Sequence, residues 1–401
     1  MQQGGPALAL HAYGGMLGNG KRASERAAEQ VMDQAQSKKR AAFEDITNAH
    51  QYSEPEASGT ADCSDLYTTG SGPSCNYSQH ALPQQHSYGQ GCGGRTAFPG
   101  PAFGLAQQQQ QQYGGAGCRR YDYVDIDQED ADDPMACTEY VNDIFEYLRE
   151  SELKRRPTTT YMESVQTDIN PMMRSILLDW LVEVGMEYRL TSDTLFLSAA
   201  YIDRFLSLVD VKRNRLQLVG VTAMLVASKY EEIYAPQVEE FCYITDNTYT
   251  REQVLEMERE VLRVLDFDLT QPTIKTFLRR YIKAASGEIP LDVTFEFLCS
   301  YLAELTLMDY PMLNYLPSTI AASCVSVALW MLGKPTWTPT LTHYSGYAAR
   351  DLRHCAQAVH QLFLQAKSSN LPASRDKYAS PKFACVSQLG CLDKLPDWMF
   401  A

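Results

Sequence analysis

A long uncharged stretch near the middle of the chain predicts a buried helix. Residues 216–227 carry no charge on any face, and a helix that is apolar all round lies among other helices or in a membrane. The stretch is well short of the roughly 20 apolar residues that cross a bilayer. Small residues such as Gly220 and Ala223 allow neighbouring helices to pack closely. We therefore predict a core helix over residues 215–234, around which the rest of the chain is organised.

Amphipathic periodicity predicts further helices before and after this core helix. Apolar positions from Met173 to Val184 form one broad stripe behind Pro171, and a second stripe follows Ser192, which can cap its helix. Beyond the core helix, residues 238–244 form a short helix. The capping box from Thr250 to Gln253 begins another helix, which ends near residue 266.

An earlier helix is predicted over residues 137–152, and its packing partner is left open. One face carries apolar residues at i, i+3, i+4 spacing. These positions are Tyr140, Ile144, Tyr147, Leu148 and Ser151. The face can dock on the core of this chain or on a partner.

The second half of the chain repeats the plan of the first. Residues 316–328 (LPSTIAASCVSVA) align with residues 216–228 (LQLVGVTAMLVAS) as a second apolar helix rich in small residues. Helices over 273–284, 291–308 and 347–365 flank it, and residues from 370 onwards pack back as a tail. The pattern predicts an all-α core of two similar bundles. Leu329 stands where the first copy has Lys229, so charged chemistry follows only the first core helix.

Composition divides the remaining chain and excludes several classes of function. Residues 1–120 lack any helical or strand period and are predicted to be a disordered, low-complexity tail. An acidic linker over 121–136 precedes two domains, 137–270 and 271–401. A net charge of -14 is poorly suited to nucleic acid. Eleven cysteines without a CxxC pair fit a reducing compartment, and no signal or membrane segment is found.

Enzymatic motifs are also missing from the sequence. It contains no phosphate-binding loop, no metal-spaced His/Cys cluster and no nucleophile motif. We therefore expect no catalytic residues, no metal and no cofactor.

Four charged residues lie where apolar residues are expected. Lys229 follows the core helix, and Glu258 falls within the apolar stripe of the helix after residue 250. A carboxylate among leucines is costly unless it is paired, so the two are natural partners. Arg174 and Asp203 lie close to other apolar stripes and either pair or remain separate surface charges.

Several motifs in order resemble those of the cyclin family, and most closely green-plant A-type cyclins. They are MRSILLDWLVEV (173–184), YIDRFL (201–206), ASKYEE (227–232), YIT (243–245), and the plant-type DID (125–127), DP (133–134) and KTFLRR (275–280). The resemblance covers roughly residues 124–392. It implies two tandem five-helix cyclin folds and a regulatory subunit that activates a cyclin-dependent serine/threonine kinase and controls cell-cycle progression through S, G2 and M phases.

The resemblance also implies which residues meet the kinase. Lys229 and Glu258 occupy the positions of the cyclin pair that holds the kinase backbone before its regulatory helix. The implied kinase face also includes Tyr230, Glu231, Ile233, Tyr140 and Ile144. Arg174 and Asp203 match a buried structural pair of the family.

Two further sites follow from the same resemblance. A shallow groove would capture a basic-x-leucine motif on substrates and inhibitors, although the same strip on a monomer is also typical of core. Its residues are Met173, Ile176, Trp180, Glu183, Leu216 and Gln217. A motif similar to the destruction box read by the mitotic ubiquitin ligase lies in the tail, with a phenylalanine where leucine is usual. Its residues are Arg40, Phe43, Ile46 and Asn48. The expected location is the nucleus and cytoplasm.

Two alternatives remain open. A transcription-type cyclin shares the fold but is expected to lack the LVEV signature and the destruction box. A general transcription factor with two cyclin folds should be basic and carry a zinc ribbon, unlike this acidic chain. Neither nucleic acid nor a membrane is expected as a partner.

Overall fold

The computed structural model describes residues 123–400, and these residues form helices and no strand. The predicted tail, with Arg40, Phe43, Ile46 and Asn48, lies outside the described residues. The first fold follows two preceding helices, α1 (Val141–Lys154) and α2 (Tyr161–Ser164). It comprises α3 (Pro171–Glu187), α4 (Ser192–Leu206), α5 (Arg213–Glu231), α6 (Val238–Ile244) and α7 (Arg251–Val264). The second comprises α8 (Ile274–Glu288), α9 (Val293–Met308), α10 (Pro317–Met331), α11 (Pro339–Ser345) and α12 (Arg353–Ala366), and α13 (Ala373–Tyr378) follows. The predicted all-α architecture of two tandem five-helix folds is confirmed.

Side-chain caps set the starts of several helices. The Asn170 side chain accepts a hydrogen bond from the Met173 amide, and Pro171 occupies the first turn of α3. The predicted capping box of Thr250 and Gln253 begins α7. The prediction that Ser192 caps α4 is wrong by one residue, because the Thr191 side chain accepts the bond there.

The core helix α5 is enclosed as its apolar pattern predicts. Leu216 and every residue from 218 to 228 are buried. A Cβ added at Gly220 would lie 2.6 Å from a methyl carbon of Leu177 on α3. The glycine therefore allows α3 to pack closely against α5, and a larger residue would force the Leu177 side chain to move.

The duplicate core helix α10 is buried in the same way but ends differently. Its residues from Ile320 to Leu329 are all buried. Leu329 lies in the core, whereas the aligned Lys229 reaches the surface. The two copies therefore share a packing scheme and differ in the residues that come directly after the buried segment.

Several helix boundaries and one helix face differ from the sequence-based predictions. Helix α5 ends at Glu231 and not at 234, and α8 ends at Glu288 and not at 284. Helix α1 begins at Val141 and not near 137, where Cys137 has a left-handed φ of 49°. Its predicted single face is divided, because Ile144 is exposed while Leu148 packs against the core. Helix α12 begins at Arg353 and not at 347, because a 3-10 turn over Ala349–Leu352 precedes it.

The acidic segment before α1 is docked on the second fold. Within residues 123–136, Ile126 and Asp127 are buried, and the Asp127 carboxylate pairs with Arg280 and Lys283 of α8. Part of the acidic segment that was predicted to be a linker therefore forms ion pairs with these two cations.

A buried ion pair joins the two folds. The Arg174 guanidinium on α3 donates to both carboxylate oxygens of Asp203 on α4, at 2.6 and 2.7 Å. The Tyr161 hydroxyl donates to the same carboxylate at 2.8 Å, and Arg174 also donates to the Leu307 carbonyl of α9 at 2.9 Å. Burial alone would lower the pKa of Arg174, but Asp203 raises it above its ordinary value. The predicted pairing is confirmed, and the arginine also spans the junction between the folds.

Residues 123–400 contain neither a membrane-spanning helix, nor a cluster of metal-binding side chains, nor a disulfide bond. No helix there is long and apolar enough to cross a membrane. No three histidine, cysteine or acidic side chains in this part lie where they can hold a metal ion together. The cysteines of this part are free thiols.

The buried Arg174–Asp203 pair is expected to stabilise the folded chain. Arg174→Ala leaves the buried Asp203 carboxylate without its cation, and breaking such a pair costs about 3–5 kcal/mol. We expect the midpoint of chemical unfolding to fall accordingly. Arg251→Ala is the control, because its ion pair with Glu239 is exposed on both sides and is worth at most about 1 kcal/mol. Equal losses in the two variants would contradict a structural role for the buried pair.

Candidate partner-binding surface

Lys229 and Glu258 form an ion pair where α5 leaves the core. The Lys229 Nζ lies 2.5 Å from the Glu258 Oε1, and their side chains are 45% and 13% exposed. Ser228, one residue earlier, is fully buried. The predicted pairing is confirmed, and its lysine faces solvent at the edge of the molecule.

The end of α5 is held in place by hydrogen bonds to the start of α4. The Glu232 carboxylate accepts from the Thr191 amide at 2.7 Å and from the Thr194 hydroxyl at 2.5 Å. The next two residues are almost fully exposed, with Ile233 at 91% and Tyr234 at 92%. A fixed helix end therefore presents two large apolar side chains to solvent beside Lys229.

The turn after α7 extends this surface. The Tyr230 side chain is exposed, and its hydroxyl is 2.9 Å from the Thr270 hydroxyl. Just before Thr270, Asp266 and Phe267 adopt left-handed φ angles, and Phe267 is exposed. Sequence reasoning missed Tyr234 and Phe267, because a single apolar residue in a turn has no period to mark it.

The outer face of α1 connects to the same turn. Tyr140, Ile144 and Tyr147 are exposed, and hydrogen bonds with Ser151 and Arg155 lower the pKa of Tyr147. Arg155 in turn pairs with Asp268 at 2.5 Å. A continuous line of contacts thus runs from α1 to the turn beside Tyr230.

Glu231, also predicted for this face, lies among charges. Its side chain is exposed, and partial burial together with the nearby Asp193 carboxylate raises its pKa. Asp193 itself pairs with Arg279 of α8 at 2.9 Å. Glu231 therefore lies beside the apolar residues but faces a charged edge between α4 and α8.

The predicted docking strip is only partly accessible. Met173 and Leu216 are buried, with 6% and 2% of their surfaces exposed. Ile176, Trp180, Glu183 and Gln217 are half-buried. The strip lies near the start of α5, 13 residues before Lys229. At 1.5 Å per residue, the Leu216 end of the strip lies about 20 Å from Lys229 along α5.

An acidic concavity lies one turn beyond Glu183, between the end of α3 and α6. Its volume is about 370 Å³. The Tyr188 hydroxyl donates to the Glu240 carbonyl at 2.7 Å and joins the two helices. The lining residues are Glu187, Tyr188, Glu239, Glu240, Tyr243 and Ile244. Sequence reasoning missed this concavity, because its walls come from separate helices.

Family comparisons match almost all of the folded region. The model described as "Cyclin, N-terminal domain" matches residues 143–270, and "Cyclin, C-terminal domain" matches residues 272–392. A solved viral cyclin from herpesvirus saimiri has the same fold, with a TM-score of 0.50 and 21% identity over 55% of this chain and 96% of that chain.

Curated plant relatives are much more similar. Cyclin-A1-1 of Oryza sativa subsp. japonica is 51% identical over 274 residues, which are 67% of this chain and 54% of that protein. Putative cyclin-A3-1 of Arabidopsis thaliana is 48% identical over 273 residues, 67% of this chain and 77% of that protein. The chain thus spans about half the length of the rice relative. On these matches and this fold, the chain belongs to the cyclin family, and its relatives at about 50% identity are plant A-type cyclins.

Proposed function

We propose that this chain is a non-catalytic regulatory subunit that binds and activates a cyclin-dependent serine/threonine kinase during the S, G2 and M phases. The observation that carries the proposal is the Lys229–Glu258 pair at the exit of a buried helix. Exposed apolar side chains follow this pair directly after α5, and others lie on α1, which the Arg155–Asp268 pair joins to the turn after α7. A partner helix fits such an arrangement, because apolar area and a charged anchor lie side by side.

The pair can bind the backbone of the partner. An ammonium group has three donors, and Lys229 uses one of them on Glu258. The remaining donors can bind carbonyl groups that precede the regulatory helix of the kinase. Tyr140, Ile144 and Ile233 would contact that helix and hold it inward. The kinase then completes its own Lys–Glu pair and opens its activation loop.

We also propose that the strip on α3 recruits substrates. The half-buried Ile176 and Trp180 would receive the leucine of a basic-x-leucine motif, and Glu183 would attract the basic residue. Because Met173 and Leu216 are buried, they would form the floor of this groove. The separation of about 20 Å from Lys229 along α5 lets docking and activation act independently.

Degradation and location complete the proposal. The mitotic ubiquitin ligase would recognise Arg40, Phe43, Ile46 and Asn48 in the tail. The chain would act in the nucleus and cytoplasm. The cysteine-rich but CxxC-free sequence supports a reducing compartment.

Kinase binding is tested first by Lys229→Ala and Glu258→Ala. Each variant leaves one charge of the pair unpaired against the partner, and we expect a loss of about 2–5 kcal/mol in binding free energy. The measurement is calorimetry with the kinase, and thermal unfolding of each variant accompanies it. Lys334→Ala is the control, because Lys334 is an exposed lysine that follows the duplicate helix α10. Unchanged affinity in both variants would contradict the assigned role.

Substrate docking is tested by Trp180→Ala combined with Gln217→Ala. We expect unchanged phosphorylation of a short peptide without the docking motif, because the Lys229 site is remote. The KM for a protein substrate that carries the motif should rise at least about tenfold, since a buried leucine contact is worth about 1.5–3 kcal/mol. If both substrates lose activity equally, these residues support the fold and do not recruit substrates.

The destruction box is tested by Arg40→Ala combined with Phe43→Ala. We expect the variant to persist after mitotic exit, when the unmodified chain decays, and the measurement is its half-life in synchronised cells. Arg95→Ala with Phe98→Ala is the matched control, because residues 95–98 (RTAF) have the same short start and lack the remaining motif residues. Equal decay of the first variant and the unmodified chain would show that residues 38–48 are a charged patch and not a degradation signal.

A further inference from the structure

Arg280 is a buried cation at the meeting point of three elements. Its side chain on α8 donates to both oxygens of Asp127, at 2.5 and 2.6 Å. The guanidinium also donates to the Asn142 side chain of α1 at 3.2 Å. Its carbon lies 5.3 Å from the ring centre of Phe145 on α1 and 4.7 Å from that of Tyr344 on α11. One side chain thus connects the segment before α1, α1 itself and the second fold.

Residues 123–130, here called the strap, are seated on the second fold by specific contacts. The Val124 amide donates to the Thr340 hydroxyl at 3.0 Å, and the Ile126 amide donates to the Tyr344 hydroxyl at 3.2 Å. The ring of Tyr123 stacks on His343 at 3.6 Å. Ile126 lies so close to Gly287 that a Cβ there would be 2.9 Å from it. The strap therefore has one register on α8 and α11.

Helix α1 is anchored at several places along its length. In its middle, Arg149 donates to the Ser345 carbonyl and lies over the Tyr347 ring. Near its end, the buried Glu152 carboxylate accepts from the Ser318 amide at 3.0 Å and the Ser318 hydroxyl at 2.6 Å. Near its start, Arg280 forms a hydrogen bond with the Asn142 side chain and a cation–π contact with the Phe145 ring. No side-chain cap supports the first turn. A 14-residue helix is marginal by itself in water, so its position depends on these anchors.

The anchored face and the outward face of α1 alternate along the helix. Asn142 and Phe145 contact Arg280, while Tyr140 and Ile144 are exposed between and beside them. Any rotation of the first turns about the helix axis would change the direction in which Tyr140 and Ile144 are presented. The anchors together restrict both the rotation and the tilt of α1.

We propose that the Asp127–Arg280 pair positions the kinase-binding face of α1. The proposal rests on the proposed function above. Asp127 holds Arg280 in place, Arg280 holds the first turns of α1, and Tyr140 and Ile144 are thereby presented in their binding arrangement before the kinase arrives. A partner then does not need to order this helix, and the avoided entropy loss appears as affinity. Asp127 and Arg280 are positioning residues that act through α1.

The test is a thermodynamic cycle on kinase affinity. Asp127→Asn removes the charge that holds Arg280, and we expect the Kd for the kinase to rise at least about fivefold, the lower end of typical coupling between sites. In a chain that already carries Tyr140→Ala and Ile144→Ala, the same change should have little further effect, because the positioned contacts are gone. Additive losses in the two backgrounds would overturn the proposal.

Hydrogen exchange separates positioning from general stability. In the free chain, Asp127→Asn should accelerate amide exchange in α1 and leave that of α5 unchanged. Glu304→Gln is the control, since Glu304 is a buried carboxylate of the second fold that pairs with Lys377 at 2.5 Å and contacts neither the strap nor α1. It should lose thermal stability without losing kinase affinity, whereas an equal loss of affinity in the control would contradict positioning.

Failure of the proposed function can be distinguished from failure of the positioning role. If the unmodified chain does not bind the kinase, the proposed function fails. If it binds and Lys229→Ala weakens binding while Asp127→Asn does not, only the positioning role fails.

Discussion

A helix whose central turns are uncharged and buried on every side can offer chemistry only at its ends. Helix α5 is such a helix, and its enclosure obliges α3, α4 and α7 to surround it. Its exit from the core brings Lys229 to the surface beside Glu258. The duplicate helix α10 has the same enclosure but continues into Leu329. The two copies therefore share their burial and differ in whether a charged side chain follows the buried segment.

The junction of the two folds depends on a balance between the desolvation cost of a buried ion pair and the hydrogen bonds that it forms. Burying Arg174 and Asp203 has a high desolvation cost, and it is offset because every charged oxygen and several donors have partners. The Leu307 carbonyl is one of these partners, so the second fold contributes to satisfying a cation of the first. A change in the relative position of the folds would leave a buried donor unpaired. This requirement keeps the second fold, with its strap and its contact to α1, in register with the first.

Sequence periodicity predicted much of this architecture, and the failures have physical causes. The enclosure of α5, its duplicate α10 and the pairing of Lys229 with Glu258 follow from charge placed against an apolar pattern. The pairing of Arg174 with Asp203 followed only from the family resemblance, because single charges near apolar stripes are also typical of the surface. The strap was predicted to be a linker, because acidic residues in sequence resemble solvated chain and their cations, Arg280 and Lys283, lie some 150 positions later. Phe267 and Tyr234 were missed because exposure in a turn depends on backbone geometry that residue types do not encode.

Helix α1 is stabilised by contacts with both folds. Its inward face is satisfied by the second fold through Arg280 and Ser318, while its outward face joins the surface at the end of the first fold through Arg155 and Asp268. A partner that touches α1 and the end of α5 together therefore depends on both folds, although it lies against only one of them. Asp127 lowers the energy of the buried Arg280 cation, which contacts the first turns of α1. If the outward face of α1 binds a partner as proposed, the second fold would contribute to that binding through the position of α1, without touching the partner.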